Sequence, residues 1–124
     1  MNGNSFIVLD TNVVLYHLGN RLKQPLTRRR YAISIITEIE LLSYPRIELP
    51  EIIKIQNFID KTTVVELRNS VKTETIKLRK QYSLKIPDAI IAATALRLNG
   101  TLLTKDKKLL GVSEIDAQDV EIKI

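Results

Sequence analysis

The chain has 124 residues, 44% hydrophobic and 27% charged, which fits one domain (residues 1–124) long enough to bury its own core. It has no cysteine, which removes disulfides, zinc–thiolate sites and thiol nucleophiles together. A formal net charge of +5 favours a polyanionic partner, while no apolar run approaches the roughly 18 residues of a membrane span and the start of the chain lacks a leader pattern, so a soluble, cytoplasmic protein without membrane contact is expected.

Two short apolar runs, residues 5–9 and 31–35, read as buried strands, and each leads into helical spacing, over 13–18 and 37–43. Helical patterns follow over 50–59 and 69–82, with TTVVEL (62–67) as a strand between them. Pro87 opens a helix that runs to residue 98, where Asn99-Gly100 supplies a C-terminal stop. TLLT (101–104) is a fourth strand, residues 107–110 form a brief helix before Gly111, and VEIKI (120–124) is predicted as the fifth strand. Strands alternating with helices predict an α/β chain, a three-layer α/β/α sandwich around a mostly parallel sheet of four to five strands.

Such sheets collect ligands at the carboxyl ends of their strands. Asp10 leaves the first strand at that edge, and Glu40, Asp88 and Asp106 fall near the same edge, after the second strand, at the opening of PDAIIAATAL and after TLLT. Four converging carboxylates repel one another, and oxygen donors of this kind suit a hard divalent cation, Mg2+ or Mn2+. Each acid also has a plainer reading. Asp10 and Asp106 suit helix N-caps, Thr37 and Glu40 are spaced as a capping box, and Asp88 after Pro87 suits the anion-favouring first turn of a helix. Glu38, Asp60, Asp116 and Asp119 read as ordinary solvated charges.

The joint pattern carries a family resemblance. LDTNVVLYHL resembles the opening motif of PIN domains, metal-dependent nucleases; ISIITEIELL resembles their second motif and places its acid on Glu40 rather than Glu38; IPDAIIAATAL and NGTLLTKD resemble the third and last, with acids at Asp88 and Asp106. The motifs run in order from residue 6 to residue 106. In size and overall likeness the chain is similar to the VapC-type toxin nucleases of VapBC toxin–antitoxin pairs. It departs from the family after Asp106, where KDKKLL stands in place of a further acid and a phenylalanine.

The resemblance implies an endoribonuclease that uses one or two Mg2+ or Mn2+ ions held by Asp10, Glu40, Asp88 and Asp106 and leaves a 5′-phosphate and a 3′-hydroxyl. It also implies a homodimer and a small antitoxin that covers the site. The chemistry agrees, because metal ions can activate water and stabilise a departing oxygen without a side-chain base, and the one histidine, His17, rules out a histidine-pair nuclease. His17 itself suits a surface or packing role. No GxxxxGK[ST] sequence is present, so a P-loop nucleotide site is not expected. Thr11, Asn12 and Thr104 suit either helix capping or the orientation of the neighbouring acids. Lys105, Lys107 and Lys108 around Asp106 are candidate phosphate contacts, and Arg28, Arg29 and Arg30 form a second basic run. Two other classes remain open, a non-catalytic RNA-binding or scaffold module of the same fold and a metal-dependent DNA nuclease or phosphatase on a similar sheet. An apolar groove lined from 13–18 and 35–42 is the expected seat of an antitoxin helix.

Overall fold

Strand β1 (Phe6–Leu9) alternates its side chains between two apolar layers, Ile7 and Leu9 facing one and Val8 the other. In the computed structural model, which describes residues 5–124, the same alternation recurs on β2 (Arg30–Ser34), where Ile33 joins the layer of Ile7 and Leu9 while Ala32 joins that of Val8. With β3 (Thr63–Val65), β4 (Thr101–Leu103) and β5 (Asp116–Gln118) these strands form a sheet in the order β3-β2-β1-β4-β5, every pairing parallel. Parallel strands are buried on both faces, so each face needs its own cover of helices.

One cover is α1 (Thr11–Leu18), α2 (Ile35–Ser43) and α3 (Leu49–Asp60), whose Val13, Val14, Leu41, Ile55 and Ile59 close over Ile7, Leu9 and Ile33. The other is α4 (Asn69–Tyr82) and α5 (Ile86–Leu98), with the single turn α6 (Lys107–Leu110) beside them. α5 carries almost no polar face, since seven consecutive residues, Ala89 to Ala95, are buried all round the helix. Its alanines let it sit close to Val8, Ala32 and Leu102. This is the three-layer sandwich the sequence predicts. Among the described residues no helix is long and apolar enough to cross a membrane.

Several boundaries differ from expectation by one to two residues. α1 and α2 begin two residues early, at Thr11 and Ile35, because Asp10 and Ser34 cap them with their side chains. α5 begins at Ile86 with Pro87 in its second position. The predicted fifth strand at 120–124 is not in the parallel sheet; DAQ at 116–118 takes that place, held to β4 by the Thr101 hydroxyl donating to Asp116 at 3.0 Å. VEIKI instead runs antiparallel beside the segment that follows α1, where Lys23 N–H donates to the Glu121 carbonyl and Lys123 N–H to that of Arg21, with Leu22 opposite Ile122.

Candidate active site

β1 and β4 are neighbours, yet β1 leads to β2 on one side while β4 leads to β5 on the other, so their carboxyl ends flank the crevice where the order of the sheet reverses. Asp10 follows β1 directly. Its backbone N–H donates to the Leu103 carbonyl at 3.1 Å, extending the ladder one residue past the strands. One side-chain oxygen accepts from Thr11 N–H at 2.8 Å and caps α1, and the other accepts from the Thr104 hydroxyl at 2.6 Å. Asp10 is thus a helix cap and a site residue at once, 8% exposed with both oxygens oriented.

Thr104, fully buried, serves a second acid with the same oxygen, accepting from the Asp106 backbone N–H at 3.0 Å. Asp106 caps α6 through one carboxylate oxygen, which accepts from Lys108 and Leu109 N–H at 2.8 and 3.4 Å; among the described residues its other oxygen accepts no hydrogen bond. Glu40 comes from α2. The capping-box reading fails there, since Ser34, accepting from Ile36 N–H at 3.1 Å, is the cap and Glu40 lies in the second turn. Its carboxylate instead crosses to α1 and accepts from the Thr11 hydroxyl at 2.6 Å; Thr11 in turn lies 3.0 Å from the Thr37 hydroxyl. Glu38, two residues earlier, is not among the residues that line the cleft. Asp88 stands in the first turn of α5, and among the described residues its carboxylate accepts no hydrogen bond and joins no salt bridge.

Asp10, Glu40, Asp88 and Asp106 therefore line one cleft of about 470 Å³, together with Thr11, Asn12, Leu15, Tyr44 and Ile91. Burial raises the pKa of Asp10 above the ordinary carboxylate value, opposed by the bonds from Thr104 and Thr11 and reinforced by the charges of Asp106 and Glu40. Burial likewise raises Asp88, with Asp106, Asp10 and Glu40 adding to the rise and Lys85 opposing it. Asp10 thus senses Asp106 and Glu40, Asp88 senses the other three acids, and no salt bridge among the described residues neutralises any of the four. Oxygen donors with surplus negative charge fit a hard divalent cation. Among the described residues no three of these acids stand close enough together to hold one ion as placed here.

The remaining candidates divide. Asn12 is exposed at the cleft, and Lys107 and Lys108 are exposed on the turn capped by Asp106. Lys105 turns away, its ammonium 2.9 Å from Asp119 and donating to the Val120 carbonyl at 2.7 Å. Asp116 and Asp119, given no role from sequence, hold β5 and Lys105. Arg30 lies at the opposite edge of the sheet, its guanidinium 4.1 Å from the centre of the Phe6 ring. His17 packs on Phe58, with ring centres 5.5 Å apart, and burial and Lys54 lower its pKa, as suits the packing role. Leu15, Tyr44 and Ile91 also line the cleft, and the sequence patterns do not single them out. The apolar ones carry only a core signal, and Tyr44 reaches the cleft from the end of α2, its hydroxyl 2.5 Å from Glu51.

The chain matches the family model described as PIN domain over residues 7–115. No curated protein matches it. Among solved structures it is similar to a toxin–antitoxin complex from Klebsiella pneumoniae (24% identity, 90% of this chain and 95% of that chain covered, TM-score 0.76). It is also similar to VapBC2 from Rickettsia felis bound to a DNA fragment from their promoter (19%, 94% and 99%, 0.78) and to DNA-bound VapBC from Salmonella typhimurium (20%, 93% and 98%, 0.77).

Proposed function

This chain belongs to the PIN domain family, whose members are nucleases, and from that premise we propose that it is a Mg2+- or Mn2+-dependent endoribonuclease and the toxin of a toxin–antitoxin pair. The observation that carries the reading is the convergence of Asp10, Glu40, Asp88 and Asp106 on one cleft at the reversal point of the sheet, mutually charged and unneutralised. These four would hold one or two ions, which when bound supply an activated water and stabilise the leaving oxygen.

The chain's own side chains prepare that site. Thr104 and the N-terminus of α1 fix both oxygens of Asp10, and Thr11 fixes Glu40. Asp88 and the outer oxygen of Asp106 stay free to ligate. Lys107 and Lys108 offer cations to the substrate phosphates, whereas Lys105, committed to Asp119, leaves that set. No side-chain base is needed, in keeping with His17 packed on Phe58.

An antitoxin is supported by the surface beside the acids. Leu15 and Tyr44 line the cleft and also a neighbouring groove with Leu18, Lys54 and Ile55, so an apolar channel continues from the acids between α1 and α3. Of the segments expected to line it, Val13, Val14 and Leu41 are spent in the core, while Leu15 and Ile39 are exposed. A partner helix laid there could set a basic side chain among the acids. The homodimer implied by the resemblance is part of the same reading.

The test is cleavage of matched RNA and DNA strands across a Mg2+ and Mn2+ series, with a chelator control and Asp10→Asn alongside. RNA cleavage that needs metal and falls by orders of magnitude in Asp10→Asn is expected. Metal-independent cleavage, or cleavage of DNA in preference to RNA, overturns the reading.

A further inference from the structure

The positive charge of the chain is concentrated in one place. From Arg68, the N-cap of α4, to Lys85, the N-cap of α5, there are six cations, Arg68, Lys72, Lys77, Arg79, Lys80 and Lys85, against the single acid Glu74. That surplus equals the net charge of the whole chain, +5, so everything outside the segment is neutral in sum. All six cations are exposed.

Helical spacing explains how they share a surface. Val71, Thr75 and Leu78 are the buried residues of α4, and Val71 and Leu78 join the core layer that α5 builds. Lys72 and Arg79 lie together on one side of that buried line, Lys80 projects opposite it, and Lys77 lies round towards the other side, so the cations cover the outward half of the helix. Only Lys77 meets an acid on the helix, Glu74 at 3.9 Å; among the described residues Arg68, Lys72, Arg79, Lys80 and Lys85 join no salt bridge. Arg79 and Lys80 do complement the C-terminal end of the helix dipole, but Arg68, Lys72 and Lys85 lie outside the last turn and gain nothing from it. Unpaired like charges on one face repel each other, and a polyanion relieves that repulsion.

The face also leads to the acids. α4 and α5 are joined by residues 83–85 alone, and Lys85 stands three residues before Asp88, whose charge its field reaches. We propose that the exposed basic face of α4, continued through Lys85, is the track along which the phosphodiester backbone of RNA lies as it enters the acid cleft. A second copy of this chain does not fit the face, because two-fold contact there would oppose one +5 segment to another. The inference rests on the endoribonuclease reading above.

The experiment compares the wild-type chain with the combined variant Lys72→Ala/Lys77→Ala/Arg79→Ala/Lys80→Ala. All four positions are exposed on a helix that alanine favours, and circular dichroism confirms folding. Substrates are a long single-stranded RNA and a dinucleotide too short to reach α4. For the long RNA, KM should rise tenfold or more with kcat nearly unchanged, while dinucleotide cleavage stays at the wild-type rate. The slope of log affinity against log salt should flatten by about 0.7 for each phosphate that the variant no longer neutralises. Wild-type KM and salt slope in the variant, or an equal loss on both substrates, overturns the track. The track is likewise overturned if the weakened binding is matched by dissociation of a dimer. Absence of cleavage by the wild-type chain would instead count against the endoribonuclease reading, so the two failures are distinguishable.

Discussion

A carboxylate at a helix N-terminus can be a cap, a ligand or both, and the four acids give different answers. Asp10 and Asp106 cap a helix and still line the cleft, because a carboxylate has two oxygens and each caps with one of them. Glu40 does not cap at all. Sequence could not settle this, since the outcome turns on Ser34 starting α2 earlier than the apolar pattern suggests, which moves Glu40 from the first turn to the second and aims it at Thr11. Glu40→Gln should therefore lose RNA cleavage by at least tenfold with little change in melting temperature, and Glu38→Gln should remain near wild type; the reverse ranking in a cleavage assay would move the second acid to Glu38. Asp88 supports a stability prediction. Among the described residues its half-buried carboxylate has no hydrogen-bond donor, and it faces three other acids, so its ionised form costs free energy in the folded state. An acid whose folded pKa lies above its unfolded value of about 3.9 gains a proton on folding, so stability rises as pH falls through the folded pKa towards the unfolded one. Asp88→Asn should accordingly melt higher than wild type at neutral pH in chelator, and the advantage should shrink as pH approaches 4; an advantage that is constant with pH would show that charge is not its source.

At the scale of elements, most of the fold was legible because the core strands are apolar runs and some helices end in a recognisable signal, such as Asn99-Gly100 after α5, with Asn99 at φ 51°, and Gly111 after α6. The fifth strand was not legible. DAQ has one apolar residue and owes its place to register, with Thr101 opposite Asp116 and Ala117 packed on the core, whereas VEIKI has the alternation of a strand but pairs with the segment after α1. Gly100 has a further role in aligning the site. A Cβ there would stand 2.6 Å from the Phe6 carbonyl oxygen, so the start of β4 can lie against β1 only without one. β1 carries Asp10 and β4 leads to Thr104, so the same close approach sets the distance across which Thr104 reaches Asp10. Gly100→Ala should cost roughly 1–3 kcal/mol, the range typical of overpacking, and should lower cleavage as well as melting temperature. Loss of stability with full activity at a temperature where the variant is folded would show that the spacing of β1 and β4 does not govern the site.

The whole molecule separates its charges. Acids gather unneutralised in the cleft, and the net positive charge sits on the segment from Arg68 to Lys85, a distribution that costs stability and is relieved by partners of opposite sign. For the acid side the proposed partner is a divalent cation, and linkage makes that proposal measurable without an activity assay. An ion bound by the folded state alone stabilises it by RT ln(1 + [L]/Kd), about 2.7 kcal/mol when the free ion is at 100 times its Kd. For a domain of this size that corresponds to a rise in Tm on the order of 10 °C. Melting the chain across a manganese series should show a rise that grows with the logarithm of concentration above Kd. The combined variant Asp10→Asn/Glu40→Gln/Asp88→Asn/Asp106→Asn should start from a higher Tm in chelator if its repacked caps hold, since repulsion is removed, and should show no rise with metal. Magnesium should act in the same direction as manganese, because the donors are all oxygens. An equal rise in the variant would place the ions elsewhere on the chain, and the absence of any rise in the wild type would mean that the four acids do not hold a divalent ion in the free protein.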